Sequence, residues 1–275
     1  MDVYYINLDR RVDRRLQMEQ RFSELNLLAN RISAVQPSDL TSEQKLMCQR
    51  SLATSDPVVE VELCCNLSHK RAFEAFLATG ATHAAFFEDD VVIADDLPNL
   101  LSRIDSDGLP CDILRIETYL DRCHYGVRPI AQFGRYVAHD MYGYTWGSAG
   151  YLINRKVAEA YLAKPKLLSV TMDRALWRRF PDVAGLKNLQ LIPAPVAQID
   201  RLVGNLGAGS DIASERQQAH QNHMKHEALP ATLRRFLRDE ITIALPSLIS
   251  RWLGRSRRGS VPFSDERVAV DTNKL

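Results

Sequence analysis

Three consecutive carboxylates, Glu88, Asp89 and Asp90, close the apolar run 84–87 in HAAFFEDDVVI. A buried strand that ends in acids delivers them to the edge of its sheet, and in open α/β sheets ligands bind beyond the carboxyl ends of the strands. Side chains alternate along an extended segment, so Glu88 and Asp90 are expected on one face and Asp89 on the other. Two carboxylates on one face repel unless a cation neutralises them, and an all-oxygen set suits Mg²⁺ or Mn²⁺ better than zinc. An ion held that way is the usual partner of a pyrophosphate. The same acids could also form a solvated loop or a helix cap. A haloacid-dehalogenase-like phosphatase would need D-x-D-x-T/V, and a receiver domain a later phosphoacceptor Asp and Lys; neither continuation is clear here.

The turn INLDRRVDRR offers a second chemistry. A polar loop rich in arginine after the first strand can hold a nucleotide, with Arg10 or Arg14 reaching anionic oxygens; Asn7 and Asp9 could instead cap the following helix. His220, His223 and His226 recur every third residue, but no Cys or Glu completes a familiar zinc set, and three solvated histidines explain them as well.

The elements that must position these groups alternate. A β-branched and aromatic run at 3–6 reads as a strand, and Met18, Phe22 and Leu25 at i, i+4, i+7 read as a helix. A second short strand is expected at 32–35 and a helix from near Thr41. Cys65, His69, Ala72, Phe73, Phe76 and Leu77 keep helical spacing up to Gly80, a candidate C-cap. Strands follow at 83–93, 111–116 and within 142–153, then a helix at 155–162. Such alternation predicts an α/β sandwich with a mostly parallel central sheet. After Asp200 the chain turns loop-like and polar, so residues 1–210 are read as the catalytic domain and 211–275 as a polar linker with an amphipathic, basic, helical C-terminal tail.

Composition narrows the class. The chain has 275 residues, 45% hydrophobic and 25% charged, with a formal net charge of +1. These are globular values, and the near-neutral charge argues against nucleic acid as a partner. Positive charge gathers at 225–258, with eight basic residues against Glu227, Asp239 and Glu240. Within 231–258, Leu233, Phe236, Leu237 and Ile241 form one apolar stripe and Leu248, Ile249, Trp252 and Leu253 another, both flanked by arginine. That pattern suits peripheral contact with an anionic membrane. The five cysteines, with no C-x-x-C, read as thiols in a reducing cytosol. The N-terminus lacks a signal-peptide pattern, and no run of about 18 apolar residues occurs, so a cytoplasmic location is expected, at most on the inner face of the membrane.

Four segments in order, VYYINLDRRVDRR, CNLSHKRAFEAFLATGATHAAFFEDDV, GSAGYLINRKVAEAYL and TMDRALW, give the chain a resemblance to glycosyltransferase family 25, over roughly residues 2–200. The resemblance implies a GT-A-like nucleotide-sugar-binding fold and a metal-dependent hexosyltransferase that inverts the anomeric carbon. It implies that Asn7, Leu8 and Arg14 line the nucleotide end, that Glu88 and Asp90 hold Mn²⁺ or Mg²⁺ at the diphosphate, and that Asp89 and His69 belong to the donor site. Gly147 and Ser148 would let the donor approach the backbone, and Asp173 would be the base. In TMDRALW, Arg174 stands where the family more often has His. The implied reaction moves a hexose, with galactose from UDP-galactose preferred, to a saccharide of a lipid-linked surface glycan such as lipooligosaccharide. The rivals are a sugar nucleotidyltransferase, which would want a glycine-rich loop that INLDRR lacks, and a catalytically silent nucleotide-sugar-binding protein.

Overall fold

The computed structural model describes residues 1–52, 57–143, 145–177, 186–202 and 245–265. From the N-terminus the described elements are β1 (Asp2–Asn7), α1 (Val12–Glu24), β2 (Asn30–Ser33), α2 (Ser42–Ser51), α3 (Glu60–Leu77), β3 (His83–Glu88), β4 (Val91–Ile93) and α4 (Leu97–Asp107). They continue through β5 (Ile113–Arg115), β6 (Glu117–Thr118), β7 (Arg122–Phe133), β8 (Tyr136–Tyr142), β9 (Gly150–Asn154), α5 (Arg155–Leu162) and α6 (Met172–Trp177). Then come β10 (Asn188–Ile192), β11 (Val196–Gln198), α7 (Leu245–Trp252) and β12 (Ser256–Ser260).

Nine strands form one sheet in the order β12-β7-β8-β10-β5-β9-β3-β1-β2, and β4-β11-β6 form a small second sheet. β1 and β3 are apolar on both faces because helices cover both. Val3, Tyr5, Ala85 and Phe87 pack with Met18 and Phe22 of α1 and with α4. Tyr4, Ile6, Ala84 and Phe86 point the other way, onto Phe73 and Phe76 of α3 and onto α5. This is the period-2 alternation of a doubly covered strand.

The α/β expectation holds, but the sheet is mixed rather than mostly parallel. Three of its eight pairings are parallel: β1 with β2, β1 with β3, and β10 with β5. The other five are antiparallel, because β9 runs back between β3 and β5 and because the β7–β8 hairpin extends one flank. The C-terminal segment also departs from the helical tail expected of it. Its described part holds α7, but β12 pairs with β7 from Ser256↔Gly126 to Ser260↔Arg122. Thr118 Oγ1 then donates to the Val261 carbonyl at 2.6 Å, and the Ser264 amide donates to the Ala194 carbonyl at 2.8 Å. Residues 256–264 are thus sewn into the same body as the N-terminal strands. The histidines at 220, 223 and 226 and the apolar stripe at 233–241 lie outside the described residues.

One consequence of the register positions the site. β1, β2 and β3 are parallel and their carboxyl ends coincide, with Ile6 opposite Glu88 and Asn7 opposite Ser33. β9 is antiparallel to β3, so its amino end, Gly150 opposite Phe87, reaches the same edge.

Candidate active site

A cavity of about 360 Å³ opens at that edge, lined by Leu8, Arg10, Arg14, Pro37, Cys65, His69, Glu88, Asp89 and Asp90 among others. The three carboxylates meet it in different settings. Glu88 Oε1 accepts a 2.8 Å hydrogen bond from Ser148 Oγ and lies 3.4 Å from His69 Nε2. Burial works to raise this carboxyl, but the hydrogen bonds from His69 and Ser148, with the Arg14 charge nearby, outweigh it and hold Glu88 below the ordinary glutamate value.

Asp89, just past the end of β3, accepts from Asn7 Nδ2 at 2.6 Å and from Arg14 at 3.0 Å. Burial still leaves it raised despite those partners. Asp90 has no such pair of donors. Arg14 stands 3.8 Å from its Oδ2, and its buried Oδ1 has no hydrogen-bond partner among the described residues. Burial first, then the Glu88 charge, push the Asp90 carboxyl up to about 8.

Ser148 reaches Glu88 because the segment before β9 is held from behind by a buried ionic network. Arg115 donates to Gln190 Oε1 at 2.8 Å, to Glu117 Oε1 at 2.9 Å and to the Trp146 carbonyl at 2.6 Å. Glu117 Oε2 accepts from the Ala149 amide at 2.6 Å, and Trp177 Nε1 donates to the Gly147 carbonyl at 2.5 Å. Gly147 has φ +90°, and a Cβ there would fall 2.2 Å from Glu117 Oε1. Glycine is required on both counts.

Four expected site residues, Asn7, Gly147, Ser148 and Asp173, are not among the cavity's lining residues. Asn7 does not line the cavity. It is buried, its Nδ2 donates to Asp89 and to the Arg11 carbonyl, and its Oδ1 accepts from Arg31 at 3.0 Å, so it braces Asp89 from behind. Asp173, at the start of α6, is buried outside this cavity, with Oδ1 accepting from the Thr171 hydroxyl and from the Arg174 amide. Gly147 shapes the backbone rather than the lining. Leu8, Arg14, His69, Glu88, Asp89 and Asp90 do converge on the cavity.

Residues 1–176 match glycosyltransferase family 25, described as an LPS biosynthesis protein. The chain belongs to glycosyltransferase family 25. It is 25% identical over 81% of its length to the lacto-N-neotetraose biosynthesis glycosyltransferase LgtE of Neisseria meningitidis serogroup B, 84% of which is covered. It is likewise 25% identical to LgtB of that organism, over 72% of this chain and 75% of the relative. A glycosyltransferase involved in glycosylation of the major capsid of PBCV-1 has a solved structure similar to this chain with a TM-score of 0.39 and 11% identity, over 80% of this chain and 98% of that one.

In this family 25 glycosyltransferase the matched stretch includes the whole acidic cluster, Ser148 and Asp173. The residues present fit a divalent cation. A buried carboxylate oxygen without a hydrogen-bond partner, next to a second carboxylate in an open cavity, is a donor set for a hard ion. Sequence reasoning missed Tyr151, whose hydroxyl lies 2.6 Å from His69 Nδ1, and the network around Arg115 and Glu117. The network had a signal: an arginine and a glutamate two apart inside the apolar run CDILRIET can be buried only if they pair.

Proposed function

We propose that this glycosyltransferase moves galactose from UDP-galactose to a saccharide acceptor on a lipooligosaccharide-type glycan, in a GT-A-like site at the carboxyl ends of β1 and β3. The observation that carries the reading is the buried Asp90 oxygen, without a partner among the described residues, beside Glu88 in the cavity, on a chain of this family. The names of the relatives, both of lacto-N-neotetraose biosynthesis, support the acceptor class.

Glu88 and Asp90 would hold Mn²⁺ or Mg²⁺, which when bound neutralises charge growing on the departing diphosphate. Ser148 and His69 orient Glu88 toward that task, while Asn7 and Arg14 fix Asp89 and keep the strand end in place. Arg10 and Arg14, both at the cavity wall, supply cationic donors for phosphate oxygens. Asp173, buried on α6 outside the cavity lining, would take the acceptor proton in a single inverting displacement; α6 is tied to the site through Trp177 and the Gly147 carbonyl.

The enzyme would work in the cytoplasm, attached to the anionic inner membrane surface through 231–258. Among the described residues no helix is long and apolar enough to cross a membrane. α7 instead exposes Leu248, Ile249 and Trp252 beside Arg251 and Arg255, the composition of an interfacial helix. The test is to incubate the purified chain with a panel of nucleotide sugars and Mn²⁺ and to follow free nucleotide. Slow release of UDP from UDP-galactose in preference to other donors is expected. Release of pyrophosphate from a nucleoside triphosphate would mark a nucleotidyltransferase instead, and no turnover of any donor a silent binding protein.

A further inference from the structure

We propose that Cys65, His69 and Glu88 form a second cation site, selective for zinc, that shares one ligand with the transfer site. Cys65 and His69 are four residues apart on α3 and so lie one above the other on one helix face. That face is turned to the end of β3. One ligand atom from each of the three residues lies within 4.8 Å of the other two, and all three residues line the cavity. Ligands about 2.0–2.3 Å from one tetrahedral zinc stand roughly 3.3–3.8 Å from each other. Closing the cluster on an ion therefore takes side-chain shifts of about an ångström.

The surroundings suit an ion. Tyr151, fully buried, places its hydroxyl 2.6 Å from His69 Nδ1. A hydroxyl both donates and accepts. Without metal it donates to Nδ1, and Nε2–H points at Glu88. With metal it accepts from Nδ1–H, leaving the Nε2 lone pair for the ion, as the outer-shell partner of a ligating histidine does. The charges also balance. As the sulfur–zinc bond forms, the Cys65 thiol gives its proton to solvent, and one thiolate and one carboxylate offset the dication around a neutral imidazole. Three protein ligands leave a fourth position facing the cavity for water. A thiolate selects zinc over Mn²⁺ or Mg²⁺, which want oxygen.

Zinc held by Glu88 competes for that carboxylate with the cation of the transfer site, so zinc should antagonise Mn²⁺-supported transfer. That consequence rests on the function proposed above; the binding itself does not. Co²⁺ is the probe, added to the full-length, metal-stripped protein. One equivalent should give a thiolate-to-cobalt charge-transfer band, abolished by one equivalent of Zn²⁺. In Cys65→Ser the band should vanish with the circular dichroism unchanged, and zinc affinity should fall at least about tenfold. Tyr151→Phe should keep the band and weaken zinc by about 10–100-fold, the range for a lost outer-shell partner. If Cys65→Ser does not fold, His69→Gln replaces it, and zinc affinity is again expected to fall at least about tenfold. A wild-type protein without the band, or a band that persists in Cys65→Ser through the other four thiols, overturns the site. The band surviving while no nucleotide sugar turns over would overturn the transferase reading and leave the zinc site standing.

Discussion

Glu88 and Asp90 are two positions apart and share a cavity, yet their surroundings differ. Glu88 is furnished with donors from Ser148 and His69, while Asp90 keeps an oxygen without a hydrogen bond among the described residues. A carboxylate already oriented by its neighbours, next to one left open, is how a protein prepares a cation site before the cation arrives. Ser148→Ala should therefore act through Glu88. We expect the Mn²⁺ concentration for half-maximal activity to rise about 10–100-fold with little change in thermal midpoint, measured by metal titration and thermal unfolding. Asp173 makes a different claim. Asp173→Asn keeps an oxygen that can accept from the Thr171 hydroxyl and the Arg174 amide, so α6 should stay folded. Turnover should drop by about 10²–10⁴-fold while calorimetry shows an unchanged donor affinity. Turnover near wild type would make Asp173 a helix-capping residue alone. That the acids stand at a sheet edge was legible because they close an apolar run; that Asn7 bonds Asp89 was not, because a polar residue after a strand looks the same whether it faces open space or braces a neighbour.

At the scale of elements, the segment 146–149 connects the buried network to the cavity, and Gly147 is where it bends. Gly147→Ala would combine a left-handed φ with a Cβ 2.2 Å from a fully buried carboxylate. A left-handed non-glycine residue alone costs about 1–2 kcal/mol, so chemical denaturation should show at least that loss. Activity should fall further, because the displaced segment also carries Ser148. Around the site, β1 and β3 were legible as short apolar runs, and α1 and α3 by the helical spacing of their apolar residues. α3 nonetheless ends at Leu77, ahead of Gly80, its last turn closed by the Ala78 amide on Glu74. The β7–β8 hairpin was not legible. Pro129 interrupts β7, a residue that reads as a strand breaker, and the structure absorbs it with shifts of register on either side. Its partner β12 comes from the far end of the chain, a pairing that no local pattern announces.

For the whole molecule, one sheet joins strands from β1 to β12, with the candidate site at the β3–β1–β2 flank, while α7 presents apolar side chains to solvent, Trp252 with 86% of its surface exposed. Each Lys or Arg close to an anionic surface contributes about 1 kcal/mol before screening, and inserted Leu, Ile and Trp add apolar burial. Replacing Leu248, Ile249 and Trp252 together by serine should abolish flotation with anionic vesicles in moderate salt and leave nucleotide-sugar hydrolysis in solution intact; undiminished flotation would remove α7 from the contact. The central claim, that the cavity at the ends of β1 and β3 uses Glu88 and Asp90 with a divalent cation to cleave a nucleotide sugar, is tested most directly by Mn²⁺ titration of the EDTA-stripped enzyme, wild type beside Asp90→Asn, with UDP release from UDP-galactose as the readout. The account predicts no release without metal, saturable recovery in the wild type, and a loss of about 10²–10³-fold in Asp90→Asn, the scale on which a single group that stabilises developing charge is felt. Near-normal release by Asp90→Asn in EDTA would contradict it.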